Sequence, residues 1–201
     1  MSDDDGHLHH GHQHDTEHHG RTGHSHHSES EQDVAVQSMG RACAITVSDR
    51  SSDGTREDTS GRLLVDLLTK AGFEVSGPVI VPDGVDAVAA AVQDAIAQSI
   101  LLVVTTGGTG IGPRDLTPEA SKTLITRDMP GMAEMLRREG ARQTPYAAVS
   151  RGMIGVIDYP DRPGGTLLVN LPGRPAGVQE GMDVLTPVLP HVLSQLRGYD
   201  H

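Results

Sequence analysis

Tryptophan is missing from this 201-residue chain, and its other aromatics are one phenylalanine and three tyrosines. So few rings exclude the stacked-base platforms that hold single-stranded nucleic acids. Cysteine is nearly absent as well. Cys43 stands alone, so no internal disulfide is possible, and a lone thiol suits a reducing cytoplasm. It lies in the apolar run ACAITV, which reads as core rather than as a nucleophile. No apolar run reaches the roughly 18 residues a membrane span needs. The N-terminus has no basic segment followed by an apolar one, so it does not read as a signal peptide. Positive charge is scarce too: 16 Lys and Arg face 27 Asp and Glu, for a formal net charge of −11. That balance argues against a general nucleic-acid binder.

What is present is unevenly distributed. Residues 1–33 hold ten of the twelve histidines, eight acidic residues and one basic residue, Arg21. Leu8 is almost their only large apolar side chain. Such a segment cannot bury enough surface to offset its ordering entropy and is expected to be disordered. We therefore divide the chain into a His-rich acidic tail, 1–38, and one globular domain, 39–201. The histidine clusters HLHHGHQHDTEHH and GHSHH can ligate zinc or nickel through imidazole. A purification tag is usually an unbroken histidine run. Here Asp, Glu, Gly and Ser are interspersed, which favours a native metal-binding tail.

The body alternates between two periods and shows no internal repeat. RACAITVSD reads as a strand. GRLLVDLLTKAG places Leu63, Leu64, Leu67, Leu68 and Ala71 on one helical face, with Gly72 set to end the helix. FEVSGPVIVPD is extended. VDAVAAAVQDAIA carries a second stripe, Val85, Val88, Val92 and Ile96. SILLVVTT is apolar and β-branched, as a central parallel strand should be. Thr117 is expected as an N-cap, with Pro118 and Glu119 in the first turn. Asp128 and Pro130 are expected to start a further helix that Gly140 ends. AAVSRGMIGVI and GTLLVNL read as strands, and Pro187 and Pro190 should break the final helical stretch. The order implies an α/β fold with crossover helices. In such sheets ligands bind beyond the carboxyl ends of the strands.

Three segments end strands and could converge there: SDR at 48–50, PDG at 82–84 and TTGGTGIGPRD at 105–115. The last is neither a Walker A loop, since no GK[ST] follows, nor GxGxxG. A strand-to-helix turn needs one or two glycines. Gly107, Gly108, Gly110 and Gly112 let backbone N–H groups approach an anion or a flat ring. On that reading Gly108→Val should remove ligand binding more than it unfolds the protein. Asp115 fits either a helix-start acid or an oxygen ligand for Mg²⁺, and Arg114 could pair with a phosphate. Asp49 and Asp83 could each be loop-turn residues, although three aspartates at three strand ends suggest a shared site.

TTGGTG-IGP-RDLTPEA, AITVSDR, VPDG, MPGMAEMLRREG, SRGMIGV and TLLVNLPGRPAGV together resemble the MogA/MoaB family of molybdenum-cofactor biosynthesis proteins, whose domain also occurs in gephyrin. The resemblance runs from about Arg41 to Leu196 and excludes the tail. It implies a three-layer α/β sandwich with a mostly parallel central sheet, usually trimeric and cytoplasmic. It implies molybdopterin as substrate, with ATP as co-substrate and Mg²⁺. Adenylylation of molybdopterin would release pyrophosphate, and the product would pass to a molybdate-inserting MoeA-type enzyme. By motif, Asp83 and Asp115 match the catalytic or metal-coordinating acids. Ser48, Asp49, Arg50, Arg114 and the cradle Thr105, Thr106, Gly107, Gly108, Thr109 and Gly110 match substrate contacts. Ser150, Arg151, Pro172 and Gly173 match a pterin-side wall. The absence of a Cys or Ser–His nucleophile pair fits nucleotidyl transfer, which relies on positioning and charge neutralisation. Three other readings compete. One is a non-catalytic molybdopterin-binding MoaB-type protein. A CinA-like domain is disfavoured by the loop sequence. In the last, the tail makes the protein a metal store.

Overall fold

The computed structural model describes residues 38–161 and 163–199. The expected tail, with its expected zinc or nickel binding, lies outside the described residues apart from Ser38. Strand β1 (Gly40–Val47) leads through a one-turn helix α1 (Asp49–Ser52) to α2 (Thr59–Lys70), β2 (Phe73–Val81), α3 (Val85–Ala97) and β3 (Leu102–Thr106). Then come α4 (Thr117–Leu124), a two-residue β4 (Arg127–Asp128), α5 (Pro130–Gln143), a 3-10 turn at Pro145–Val149, β5 (Ile154–Asp158) and β6 (Gly165–Leu171). Helices α6 (Pro175–Leu185) and α7 (Leu189–Leu196) close the chain.

The six strands form one sheet in the order β2-β1-β3-β6-β5-β4. β2, β1, β3 and β6 run parallel. β5 is antiparallel to β6, and β4 to β5. Alternation along each strand sorts side chains to two faces. Ala42, Leu102 and Leu167 stand in register across three strands and join α2, α5, α6 and α7 in one core. Their neighbours Cys43, Val103 and Leu168 face the other way and pack on α3 and α4. This is the expected three-layer α/β fold. Leu64 and Leu68 of α2 are fully buried, which contributes about 1.5–3 kcal/mol each. Pro78 lies where the β1–β2 register shifts. Having no N–H to donate, proline is tolerated on an edge strand at such an irregularity, and β2 is the edge.

Several expected boundaries move. Gly72 does stand just past the cap of α2, at φ +93, and the final helix does break, between α6 and α7, around Pro187. Thr117, however, is not the N-cap of α4. Leu116 holds that place without a side-chain bond, because the Thr117 hydroxyl instead donates to Gly107 O at 2.9 Å. Asp128 does not start α5: it pairs with Gly155 in β4, and the helix opens on Pro130 after Met129. Gly140 does not end α5, which runs on to Gln143. It is glycine because a Cβ there would stand 2.9 Å from that of Ala147. Ala147–Val149, expected as strand, belongs to the 3-10 turn, and β5 starts only at Ile154.

The connections fix where a ligand can sit. From β1 the chain crosses to β2 on one side of it, then returns past β1 to β3 on the other. The carboxyl ends of β1 and β3 therefore flank a topological switch point, the position where open α/β sheets leave a crevice.

Candidate functional site

At the end of β1, Ser48 caps α1, its hydroxyl accepting Ser51 N–H at 3.2 Å. The cap holds Asp49 at the mouth of the crevice. Asp49 N–H donates to Asp83 Oδ2 at 3.0 Å, and Asp83 N–H donates to Asp49 Oδ1 at 2.9 Å. This reciprocal pair ties the β1 and β2 ends together, so neither aspartate is merely a local turn residue. Arg114 forms an ion pair with Asp49 Oδ2. The loop after β3 thus joins the same cluster.

The glycines of that loop have separate reasons. Gly107 is at φ +108, and a Cβ on it would lie 2.2 Å from Val47 O. Gly108 is at φ +61, and a Cβ there would lie 2.3 Å from the Thr117 hydroxyl. Gly107 is required by the close approach of the β1 backbone, and Gly108 by its positive φ and the Thr117 side chain of α4. Gly110 and Gly112 instead make room for Asp115: a Cβ on either would sit 2.7 Å from its Oδ2. Gly112 N–H donates to that oxygen at 2.8 Å. Asp115 therefore closes its own loop, and among the described residues its carboxylate accepts no hydrogen bond from the α4 N-terminus.

Arg151 is turned into this loop. Its Nε donates to Gly110 O at 2.7 Å, Nη2 to Asp115 O, and Nη1 pairs with Glu119 on α4. The hydrogen bonds from Arg151 hold the Glu119 carboxyl below the usual carboxylate range, and Glu119 raises the guanidinium pKa in turn. The network beneath is fully satisfied. Buried Asn170 donates to Thr105 Oγ1 at 3.0 Å and Ser121 Oγ at 2.9 Å, and accepts Met153 N–H at 3.1 Å.

The residues singled out from sequence fall into two adjoining pockets. A cleft of about 400 Å³ is lined by Ser48, Asp49, Arg50, Asp83, Thr106, Gly107, Gly108, Arg114, Asp115 and Gly173. A smaller pocket of about 180 Å³, between α5, α6 and the 3-10 turn, takes Thr109, Gly110, Ser150 and Pro172. Leu136, Ala147 and Val149 make much of its wall apolar, and Arg174 borders both pockets. Thr105 and Arg151 line neither: Thr105 is fully buried, and Arg151 braces the loop from behind.

Sequence reasoning missed several residues of the cleft and its frame, among them the charged Arg56, Glu57, Asp58, Arg174 and Glu119. Asp58 is 8% exposed and caps α2, accepting Gly61 N–H at 2.8 Å and the Thr46 hydroxyl at 2.7 Å. Its place before Thr59-Ser60-Gly61 was a visible N-cap signal. Glu119 carried no such signal, because its partner is 32 residues away.

The cleft carries both signs of charge: the carboxylates Asp49, Glu57, Asp58, Asp83 and Asp115 and the guanidiniums Arg50, Arg56, Arg114 and Arg174. Asp83 and Asp115 each use one carboxylate oxygen in the bonds above. Their other oxygens take no hydrogen bond among the described residues. Hard cations take such oxygens. No group of three or more His, Cys, Asp or Glu among the described residues could hold an ion alone. Asp83 and Asp115 could therefore hold Mg²⁺ only together with ligands from a bound substrate, the way one or two carboxylates usually hold that ion.

Fold and site together define a doubly wound α/β domain with a mixed-charge ligand cleft at its switch point. The family described as probable molybdopterin binding domain matches residues 43–191, and the chain belongs to it. It is 39% identical over 160 residues to the molybdenum cofactor biosynthesis bifunctional protein of Synechococcus elongatus, covering 80% of this chain and 48% of that one. The chain thus spans about half the length of that relative. It is 36% identical to the molybdopterin adenylyltransferase of Pyrococcus furiosus, covering 76% of this chain and 89% of that one. A molybdopterin biosynthesis protein from Mycobacterium abscessus superposes with a TM-score of 0.73 at 40% identity, over 80% of this chain and 98% of that one.

Proposed function

We propose that the chain adenylylates molybdopterin with Mg-ATP, releasing pyrophosphate. The observation that carries this reading is a cleft of interleaved carboxylates and guanidiniums beside an apolar-walled pocket. A charged phosphate end and a flat ring need those two surroundings. Relatives named molybdopterin adenylyltransferase support it. In the reaction a terminal phosphate oxygen of molybdopterin attacks the α-phosphorus of ATP. The bond to the bridging oxygen breaks, and pyrophosphate takes its electron pair. Arg50, Arg56 and Arg114 neutralise and orient the phosphates. Asp83 and Asp115 would hold Mg²⁺, which would supply charge stabilisation on the phosphoryl oxygens. Thr109, Gly110, Ser150 and Pro172 face the pterin. The reading includes residues 39–201 as the functional domain, a homotrimeric cytoplasmic protein, and hand-over of the product to a molybdate-inserting MoeA-type enzyme.

The test is incubation of the purified chain with molybdopterin, ATP and Mg²⁺, followed by assay of adenylylated pterin and pyrophosphate. Both products should appear in equal amounts. Pterin binding without either product would replace this reading with the non-catalytic binding protein.

A further inference from the structure

Arg151 lies between the 3-10 turn and β5, outside both pockets, yet it touches both ends of the loop that carries Asp115. Its side chain bonds Gly110 O at 2.7 Å and Asp115 O, and its backbone N–H donates to Thr109 O at 2.9 Å. The remaining contacts go to Glu119, through Nη1 to Oε1 and through Nη2 to Oε2 at 3.3 Å. Arginine has five N–H donors in a rigid fork, and this geometry engages four. Only one Nη1 N–H is left, so a substrate anion could not take a bidentate hold on the fork without displacing Glu119. Apart from the exposed ion pair of Arg114 with Asp49, the turn has little other anchorage: Ile111 is 75% exposed, and its internal bonds join Gly112 and Asp115 to each other.

We propose that Arg151, aimed by Glu119, is a positioning residue that sets the Asp115 carboxylate in the cleft. The proposal rests on the adenylyl-transfer reading for its kinetic consequence, but not for its structural one. A lysine offers one point charge instead of a fork and cannot hold two carbonyls and a carboxylate together.

The experiment compares full-length wild type with Arg151→Lys, Glu119→Gln and the double variant. For Arg151→Lys, kcat for AMP transfer should fall about tenfold or more, the scale of a misplaced catalytic group. KM for molybdopterin should stay within about twofold, since no substrate contact is lost. Glu119→Gln should show a smaller fall of the same kind. The double variant should match Arg151→Lys, because both act through one clamp. Amide hydrogen exchange at residues 111–115 should accelerate in Arg151→Lys while the β3 and β6 amides stay protected. A raised molybdopterin KM with unchanged kcat would make Arg151 a substrate contact and overturn the proposal. Unchanged exchange at 111–115 would overturn it as well. Should Arg151→Lys fail to fold, Glu119→Gln carries the same two measurements. If wild type transfers no AMP, the functional reading falls, and the exchange comparison still decides the clamp.

Discussion

Asp115 shows how one side chain can be fixed by its own loop and still offer chemistry. One oxygen accepts Gly112 N–H, and the other, which takes no hydrogen bond among the described residues, could hold the proposed cation. Asparagine can keep the first bond through its carbonyl oxygen, so Asp115→Asn should fold with an unchanged Tm. It loses the charge a hard dication needs. AMP transfer should fall by roughly two orders of magnitude, as when one charge-stabilising group is removed from a transition state, while pterin affinity persists. Asp83→Asn should behave alike. Its Oδ2 likewise accepts one backbone N–H, that of Asp49, which an asparagine carbonyl oxygen can also do. If both acids serve one ion, the double variant loses less than the sum of the single losses. Steady-state rates of the three variants settle this, and full transfer by Asp115→Asn would remove the metal role.

At the scale of elements, the sequence revealed most where periodicity ran longest. β1, β3 and β6 are apolar runs and α2 and α3 carry clear stripes, so the alternating sheet and its crevice were legible. β4 was not, because two residues make no pattern and their pairing with Gly155 and Val156 is backbone work. The 3-10 turn was mistaken for strand because its Ala-Ala-Val is apolar enough for either. The glycine loop was half legible. Its convergence with Asp49 and Asp83 was expected, but the ligand-cradle account of Gly108 meets a packing cause. A valine there faces φ +61 and the buried Thr117 hydroxyl. Backbone strain alone costs about 1–3 kcal/mol, and a domain of this size loses about 2–4 °C of Tm per kcal/mol. Gly108→Val should therefore lower Tm by at least several degrees in a thermal melt, not only abolish binding. The β4–β5 edge makes a separate prediction. Hydrogen bonds from Arg127 and Thr126 hold the Asp158 carboxyl below its usual pKa. A depressed folded pKa contributes stability above the unfolded value, and that stability is lost as pH falls through the folded one. Asp158→Asn should thus be slightly less stable than wild type at neutral pH. The gap between their urea midpoints should close in acid, below the ordinary carboxylate range. A gap that is constant with pH would deny the ion pair any share.

For the whole molecule, the described residues supply two filled cores of their own. Both cores are filled by side chains from Ala42 to Leu193, and no buried side-chain polar atom among the described residues lacks a partner. Residues 1–33 offer almost no apolar surface that could add to either core. They do carry eight acidic residues against one basic, and the remaining residues are also net acidic, so net charge gives no reason to expect attraction between the two. Deleting residues 1–33 should therefore leave Tm within about 2 °C, which corresponds to less than about 1 kcal/mol in a domain of this size. Molybdopterin affinity should also be unchanged, since every residue of both pockets comes from 46–181. What the deletion should remove is zinc or nickel capacity, because ten of the twelve histidines go with it and imidazole is a good ligand for both ions. Melting curves, pterin titration and metal counting on full-length and shortened protein test the three parts separately. A large Tm loss would show that the tail packs on the body. A loss of affinity alone would place it at the cleft. Retained metal binding would move the ions to the body, where no cluster of three or more ligating side chains occurs among the described residues.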